Sequence, residues 1–423
     1  MTARSGSSYP PAADPAPAWT AEAGAGRRAV LAAAVGLIVL TVVWTLLHHG
    51  WYAHRRIVDT PIYRQYGDAM TRGQVPYRDF AVEYPPGALP AFVLPALGPS
   101  ERYDRLFETL MLLCAAAAVG LVAATLGAVG AGRARLYGAV VLVAASPLLL
   151  GSLVLTRFDF WPAALLAGAL AAFVSGRDRL GFAALALAVA AKGYPLVVLP
   201  LALVHVGRRR GGREAAIGLG IATLVLAAII VPFGILGPHG LVESVRNQAG
   251  RPLQLESLGS SLLLAAHQLG VYDAHVVSSH GSQNLGGGLP DALATVASAF
   301  QVVAVTAVWV LFAARPRNRE AFLVAAVAAV VAFVAFDRVL SPQFMIWLLP
   351  LVPLVAGRIG LAASALLATA LVLTQLWFPQ RYWHLVALSP AAWLVLARDL
   401  VLVALFALLF AAIRREPAAI DSS

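Results

Sequence analysis

Apolar stretches of about 14 to 25 residues recur along the whole chain, separated by short polar connections. A bilayer core needs roughly 20 helical residues to cross it, so the pattern predicts an all-α, polytopic membrane protein. Helices are expected at about 29–47, 104–130, 136–154, 160–175, 179–191, 194–206, 215–233, 292–313, 321–336, 343–356, 359–377 and 391–412. That makes about twelve spans, although several are short and the pair flanking Lys192 also reads as one long bent helix. Two long hydrophilic stretches interrupt them, 48–103 and 234–291, and the first is expected to hold short helices of its own. Residues 1–26 are rich in Pro, Ala, Gly and Ser and cannot bury enough apolar surface to fold, so a disordered tail is expected there. The apolar run after Arg27 and Arg28 has full helix length and no evident small-residue cleavage site, which favours a retained first helix over a removed signal peptide. The membrane domain then spans 27–413, and 414–423 form a second tail.

The connections fall into two classes. Alternate ones are short and basic: Arg133 and Arg135, Arg177 and Arg179, Arg208 to Arg210 with Arg213, Arg315 with Arg317 and Arg319, Arg358, and Arg414 with Arg415. Basic residues in short loops mark the cytoplasmic side, which predicts a multi-pass inner (plasma) membrane protein with both termini in the cytoplasm. The other connections contain HRRIVDTPIYRQYGDAMTRGQVPYRDFAVEYPPG, LTRFDFWP, AAKGYP, RNQAGRPLQLESLGSS, DRVLSPQF and FPQRYWH. These six mix carboxylates, arginines, Gln, Tyr and Pro, and all are expected on the outer face. A charge at or inside a helix end is costly unless it is paired or functional, so a one-sided collection of them points to a site.

Composition mainly excludes. With 60% hydrophobic and 12% charged residues, the chain has no stretch able to build a separate soluble domain. The formal charge of +10 comes from scattered arginine clusters, not one basic face, so no nucleic-acid partner is expected. The single cysteine, Cys114, lies in an apolar run and excludes a disulfide or a cysteine-rich metal site. His48 and His49 are adjacent and would point about 100° apart on a helix, so no bound metal or other cofactor is expected. GLGGGLP near Gly286 lacks a following Lys-Ser/Thr and reads as a flexible loop.

Within the six connections, Asp59 and Tyr63 are four apart and share a face if a short helix starts there, with Pro61 tolerated in its first turn. Asp59 would serve equally as the cap of that helix. Downstream stand Tyr77, Arg78 and Asp79, and then Glu83 before two prolines; Arg78 could simply pair with a carboxylate. Arg157 could pair locally with Asp159, and Arg338 with Asp337. Lys192 is the only lysine among 31 basic residues, which hints at a role, although snorkelling from a helix end would also account for it. Ser341 to Gln343 place a proline beside an amide, as a cavity lining or as a plain helix start.

The string GDAMTRGQVPYRDFAVEYPPG, followed in order by RFDFWPA, AKGYPLVVLPLAL and DRVLSPQFMIWLLPL, resembles the bacterial polyprenyl-phosphate-mannose-dependent mannosyltransferases and their relatives, glycosyltransferase family 87. The likeness spans about 29–412. It implies a C-type glycosyltransferase that takes a sugar, mannose by resemblance, from a polyprenyl phosphate at the outer face. The family's characteristic acidic residue lies in the first outer loop in an Asp-x-x-x-Tyr setting, which Asp59 and Tyr63 match.

The chemistry of glycosyl transfer asks for the same residue types. One carboxylate must take the acceptor's proton as the bond forms, and Asp59 is the first candidate, with Asp79 and Glu83 as rivals. Cations must hold the departing phosphate, bidentately for Arg and as a point charge for Lys. Candidates for donor phosphate or sugar binding are Tyr63, Arg78, Arg157, Asp159, Lys192, Arg251, Glu256, Arg338, Gln343 and Arg381. The expected partners are a polyprenyl-phosphate sugar, a lipid or glycan acceptor of the cell envelope, and membrane lipids. A transporter or lipid flippase is the competing class; it should show two comparable halves and polar residues near mid-membrane, whereas here the polar motifs are one-sided. An inactive scaffold for envelope assembly is a third possibility.

Overall fold

The computed structural model describes residues 18–53, 57–314 and 318–414, with side chains from Gly26 onward. Residues 1–17 of the expected first tail, 415–423 of the second, and Arg315, Arg317 and Arg415 lie outside the described residues. Helix α1 (Ala18–Leu46) begins ahead of its apolar run, because the Ala-rich segment before Arg27 continues the same helix. The first polar stretch holds α2 (Thr60–Thr71) and α3 (Leu89–Ala96), each opened by a proline in its first turn. Next come α4 (Tyr103–Ala128), α5 (Arg133–Leu150), α6 (Leu153–Thr156), α7 (Phe160–Val174), α8 (Asp178–Ala191), α9 (Leu199–Arg210) and α10 (Gly212–Leu236). The second polar stretch holds α11 (Pro238–Ala249), α12 (Leu258–Gln268) and a hairpin of β1 (Val276–Ser279) and β2 (Ser282–Leu285). The chain ends with α13 (Gly288–Ala313), α14 (Arg319–Phe336), α15 (Met345–Leu348), α16 (Gly357–Trp377), α17 (Tyr382–Val386) and α18 (Ala392–Arg414).

Among the described residues, eight helices are long and apolar enough to cross a membrane: α1, α4, α5, α10, α13, α14, α16 and α18. The remaining expected spans are helical but short or broken. Helices α7 and α8 have 15 and 14 residues, which at 1.5 Å per residue gives about 21–23 Å, less than a bilayer core. Prolines divide the other two: 194–206 is a 3-10 turn leading into α9, and 343–356 is split into 3-10 turns around α15. Such backbone is tolerated at membrane depth where protein, not lipid, surrounds it, and 342–354 is nearly all buried. Burial separates helices of like hydropathy. The most apolar window of α14 is 72% buried and that of α10 only 6%, so α14 is a central post and α10 faces lipid. Around that post α13 and α18 pack directly; α4 joins α1 to α7, α7 packs on α8, α8 on α10, and α16 on α5 and α18.

The chain is not purely helical. Strands β1 and β2 pair in the register Val276↔Leu285 to Ser279↔Ser282. Their two turn residues, His280 and Gly281, both have positive φ (54° and 66°), the requirement of a type I′ hairpin turn. The glycine run expected to form a flexible loop is ordered: Gly286 N–H donates to the His275 carbonyl at 2.9 Å, and Gly288 already starts α13.

Candidate active site

Close backbone packing places the first polar stretch. A Cβ on Gly87 would lie 2.5 Å from the Ala190 carbonyl carbon, so the glycine of EYPPG is what lets this turn rest on the end of α8 beside Lys192. Trp161 Nε1 donates to the Gly87 carbonyl at 3.1 Å and ties the turn to α7 as well. Asp59 occupies the N-cap position of α2, yet its side chain makes no capping hydrogen bond. Its carboxylate instead forms an ion pair with Arg157 and accepts from the Tyr63 hydroxyl at 3.3 Å. The i, i+4 face predicted from sequence is therefore present. Tyr63 itself is buried, stacked on Phe92 with ring centroids 4.6 Å apart.

All six polar connections meet at one cavity of about 730 Å³. Asp59, Glu83 and Tyr84 come from the first, Arg157 from the second, and Lys192 and Tyr194 from the third. Arg251, Gln254 and Glu256 come from the fourth, Asp337, Arg338 and Gln343 from the fifth, and Tyr382 from the sixth. Ile230 of α10, Leu241 and Val245 of α11 and Phe333 of α14 give the same cavity an apolar side. Cavities of about 300–1,000 Å³ with apolar walls and a few convergent polar groups are the usual form of a small-molecule site.

Three cations in the wall, Arg157, Lys192 and Arg338, are held differently. Arg157 is 4% exposed, and besides Asp59 it donates to the Ile57 carbonyl at 3.3 Å. Lys192 Nζ donates to Asp159 Oδ1 at 2.6 Å and sits 4.7 Å from the Phe158 ring centroid and 5.0 Å from that of Trp347, with Phe344 and Tyr84 beyond. Trp347 Nε1 donates to the same Asp159 oxygen at 2.6 Å, and its ring is stacked between Tyr194 and Phe344, each at 4.0 Å. Arg338 donates to the Ala249 carbonyl, while the Asp337 carboxylate accepts from Val339 N–H at 3.0 Å. The local pairs suggested by sequence, Arg157–Asp159 and Arg338–Asp337, are thus replaced by Arg157–Asp59, Lys192–Asp159 and backbone contacts.

The fourth connection is fixed from two sides. Gln254 N–H donates to the Arg338 carbonyl at 2.9 Å, and Leu255 N–H to the Gln283 carbonyl of β2 at 3.0 Å. Gln254 Nε2 donates to Ser341 Oγ at 3.0 Å, so Ser341 braces this segment and makes no side-chain cap of its own. Burial pushes the Glu256 carboxyl up to about 7 against the opposing effect of Arg398 and Arg251, and pushes Asp337 up to about 6.

The remaining expected residues lie away from the cavity wall. Asp159 stands one layer behind, through Lys192, and Tyr63 behind Asp59. Arg78 and Asp79 form a two-point surface pair, 2.9 Å at each contact, which with Val75 N–H holds Asp79 down at about 2. That is the bland pairing foreseen for Arg78. Arg381 is exposed, and its neighbour Tyr382 takes the place in the wall. Gln254, Tyr194, Trp347 and Tyr382 were not singled out from sequence, although each sits inside a motif or directly beside one; the available signal was their adjacency to the buried charges.

A family model, glycosyltransferase family 87, matches residues 82–342. The match begins after Asp59, Tyr63 and Asp79 and takes in Glu83, Arg157, Lys192, Arg251, Glu256 and Arg338. No curated protein sequence matches the chain. A multi-pass helical membrane protein whose polar connections converge on one cavity, and which the family model matches over most of its length, belongs to glycosyltransferase family 87 and is a membrane glycosyltransferase.

Proposed function

We propose that the chain transfers a hexose, mannose by family resemblance, from a polyprenyl phosphate to a lipid or glycan acceptor at the outer face of the plasma membrane, with inversion. The observation that supports this is the convergence of six separate polar connections on one cavity in which carboxylates and cations face each other and one side is apolar. The acceptor's O–H bond breaks as its oxygen attacks the anomeric carbon, and Asp59 takes the proton. The bond from the anomeric carbon to the phosphate oxygen breaks on the opposite side, and its electron pair leaves with the phosphate. Arg157, Lys192, Arg251 and Arg338, which line the cavity, share that charge. Arg157 serves twice. Paired with Asp59 it occupies that carboxylate, and when a phosphate draws the guanidinium away the base is freed.

Donor class is tested by offering purified protein either radiolabelled polyprenyl-phosphate mannose or the corresponding nucleotide sugar with no lipid carrier. Label should move only from the lipid; transfer from the nucleotide sugar alone contradicts the reading. Orientation is tested at the hairpin, where Ser278 is exposed and the native Cys114 is buried. A Ser278→Cys protein should react with an impermeant maleimide on intact cells, and reaction only after permeabilisation reverses the assigned side.

A further inference from the structure

Glu256 is a cavity carboxylate with one oxygen left without a partner. It is 2% exposed, lines the cavity, and its Oε2 has no hydrogen-bond partner among the described residues. The nearby Arg398 favours its charge through space, but the hydrogen bonds of that guanidinium go elsewhere: its Nε is taken by Asp399 Oδ1 at 2.6 Å, and its Nη2 donates at 2.7 Å to the main-chain carbonyl of Glu256. Those contacts, with the hydrogen bonds of Gln254 and Leu255 to Arg338 and the hairpin, fix the backbone of Glu256 and leave Oε2 of its carboxylate uncommitted. A buried acceptor left unpaired is costly, and because this one lines the cavity a ligand's donor can satisfy it.

The sign of the charge narrows the ligand. A phosphate against the ionised carboxylate would add like-charge repulsion to burial, so the group that matches this form presents O–H donors. Arg157 lines the same cavity, is acted on electrostatically by Asp159, then Glu256 and Tyr382, and pairs with Asp59. If the donor phosphate lies on that guanidinium, the group covalently next to it is the donor's own sugar. We infer that Glu256 is a specificity-determining residue that accepts a hydrogen bond from a ring hydroxyl of the donor sugar, across Arg157 from the base Asp59. The inference rests on the lipid-linked donor reading above.

Equilibrium binding of polyprenyl-phosphate mannose and its 2-, 3-, 4- and 6-deoxy analogues tests it, measured on the full-length protein in nanodiscs as wild type, Glu256→Ala and Glu256→Gln. One deoxy donor should bind wild type about tenfold or more weakly than the parent, as expected for a lost hydrogen bond to a charged group. That same discrimination should collapse to within about twofold in Glu256→Ala and be partly kept in Glu256→Gln, whose amide oxygen still accepts. Glu256→Gln keeps size and shape and so guards against a folding artefact. If all three proteins discriminate alike at every ring position, the inference is overturned while the donor reading stands. If wild type binds no polyprenyl-phosphate sugar at all, the donor reading fails and takes the inference with it.

Discussion

Asp59 and Asp79 are twenty positions apart in one polar stretch, and each is bound to an arginine, yet their surroundings differ in kind. Asp79 pairs with the adjacent Arg78 at the surface, in two contacts that water competes for and the local turn supplies. Asp59 pairs with Arg157, almost a hundred residues away, at a cavity wall where the guanidinium is 4% exposed. The lesson is that an Asp–Arg contact says little by itself. What matters is whether the pair closes on itself at the surface, as at Asp79, or lines a cavity large enough for a ligand, as at Asp59.

That difference is broken most severely at Asp59. Asp59→Asn should lower glycosyl transfer by about 10²–10⁴, the usual worth of general-base assistance; any fall in melting temperature comes from leaving the buried Arg157 without its carboxylate and not from a lost cap, because the Asp59 side chain makes no capping bond. Next in size is the layer behind the wall. Lys192→Gln leaves Asp159 as an uncompensated buried carboxylate, which should cost about 3–5 kcal/mol and show as a marked fall in melting temperature. Adding Asp159→Asn should recover part of that loss; no recovery would mean the lysine stabilises through its aromatic contacts alone.

Glu256 sharpens the contrast in the opposite direction. Its folded pKa of about 7 lies above the ordinary carboxylate value, so its favourable contribution is present below about pH 4.5 and lost as pH rises through about 7. Arg157, Arg251, Arg398, Asp399 and Tyr382 surround it and are unchanged by the substitution. Glu256→Gln should therefore raise stability at pH 8 by on the order of 1–3 kcal/mol and leave it nearly unchanged at pH 4, read as melting temperature across that range. A gain that does not depend on pH would contradict the assigned cause. The smallest effect belongs to the surface pair: Asp79→Asn should leave the melting temperature nearly unchanged and alter transfer by less than about threefold.

The helical, membrane-embedded character was legible because lipid imposes a length and an apolar face that the sequence must carry. Nearly every expected helix is found, and the misses share a cause. The 343–356 stretch has the composition of a span but is broken at Pro350 and Pro353 and packed inside the protein, where lipid no longer demands a continuous helix. The hairpin escaped because four-residue strands give too little alternation, and because Gln254 docks on Asn284 from far away in sequence. At the site, residue types and their grouping in six motifs were readable, and the partners were not. Adjacency suggested Arg157 with Asp159, whereas the fold brings Asp59 to Arg157 and Lys192 to Asp159, choices made by helix packing over 98 and 33 positions.

The central claim, that the first polar stretch supplies the base and that Asp59 is that base, is tested most directly by single-turnover transfer from radiolabelled polyprenyl-phosphate mannose to envelope acceptors. Purified Asp59→Asn, Asp79→Asn and Glu83→Gln proteins should be compared with wild type after each is shown to bind the donor. The account predicts that Asp59→Asn alone loses transfer, by about 10²–10⁴, while still binding donor. Near-normal turnover by Asp59→Asn with loss in either of the others would move the base within the stretch, and full activity in all three would contradict the carboxylate mechanism itself.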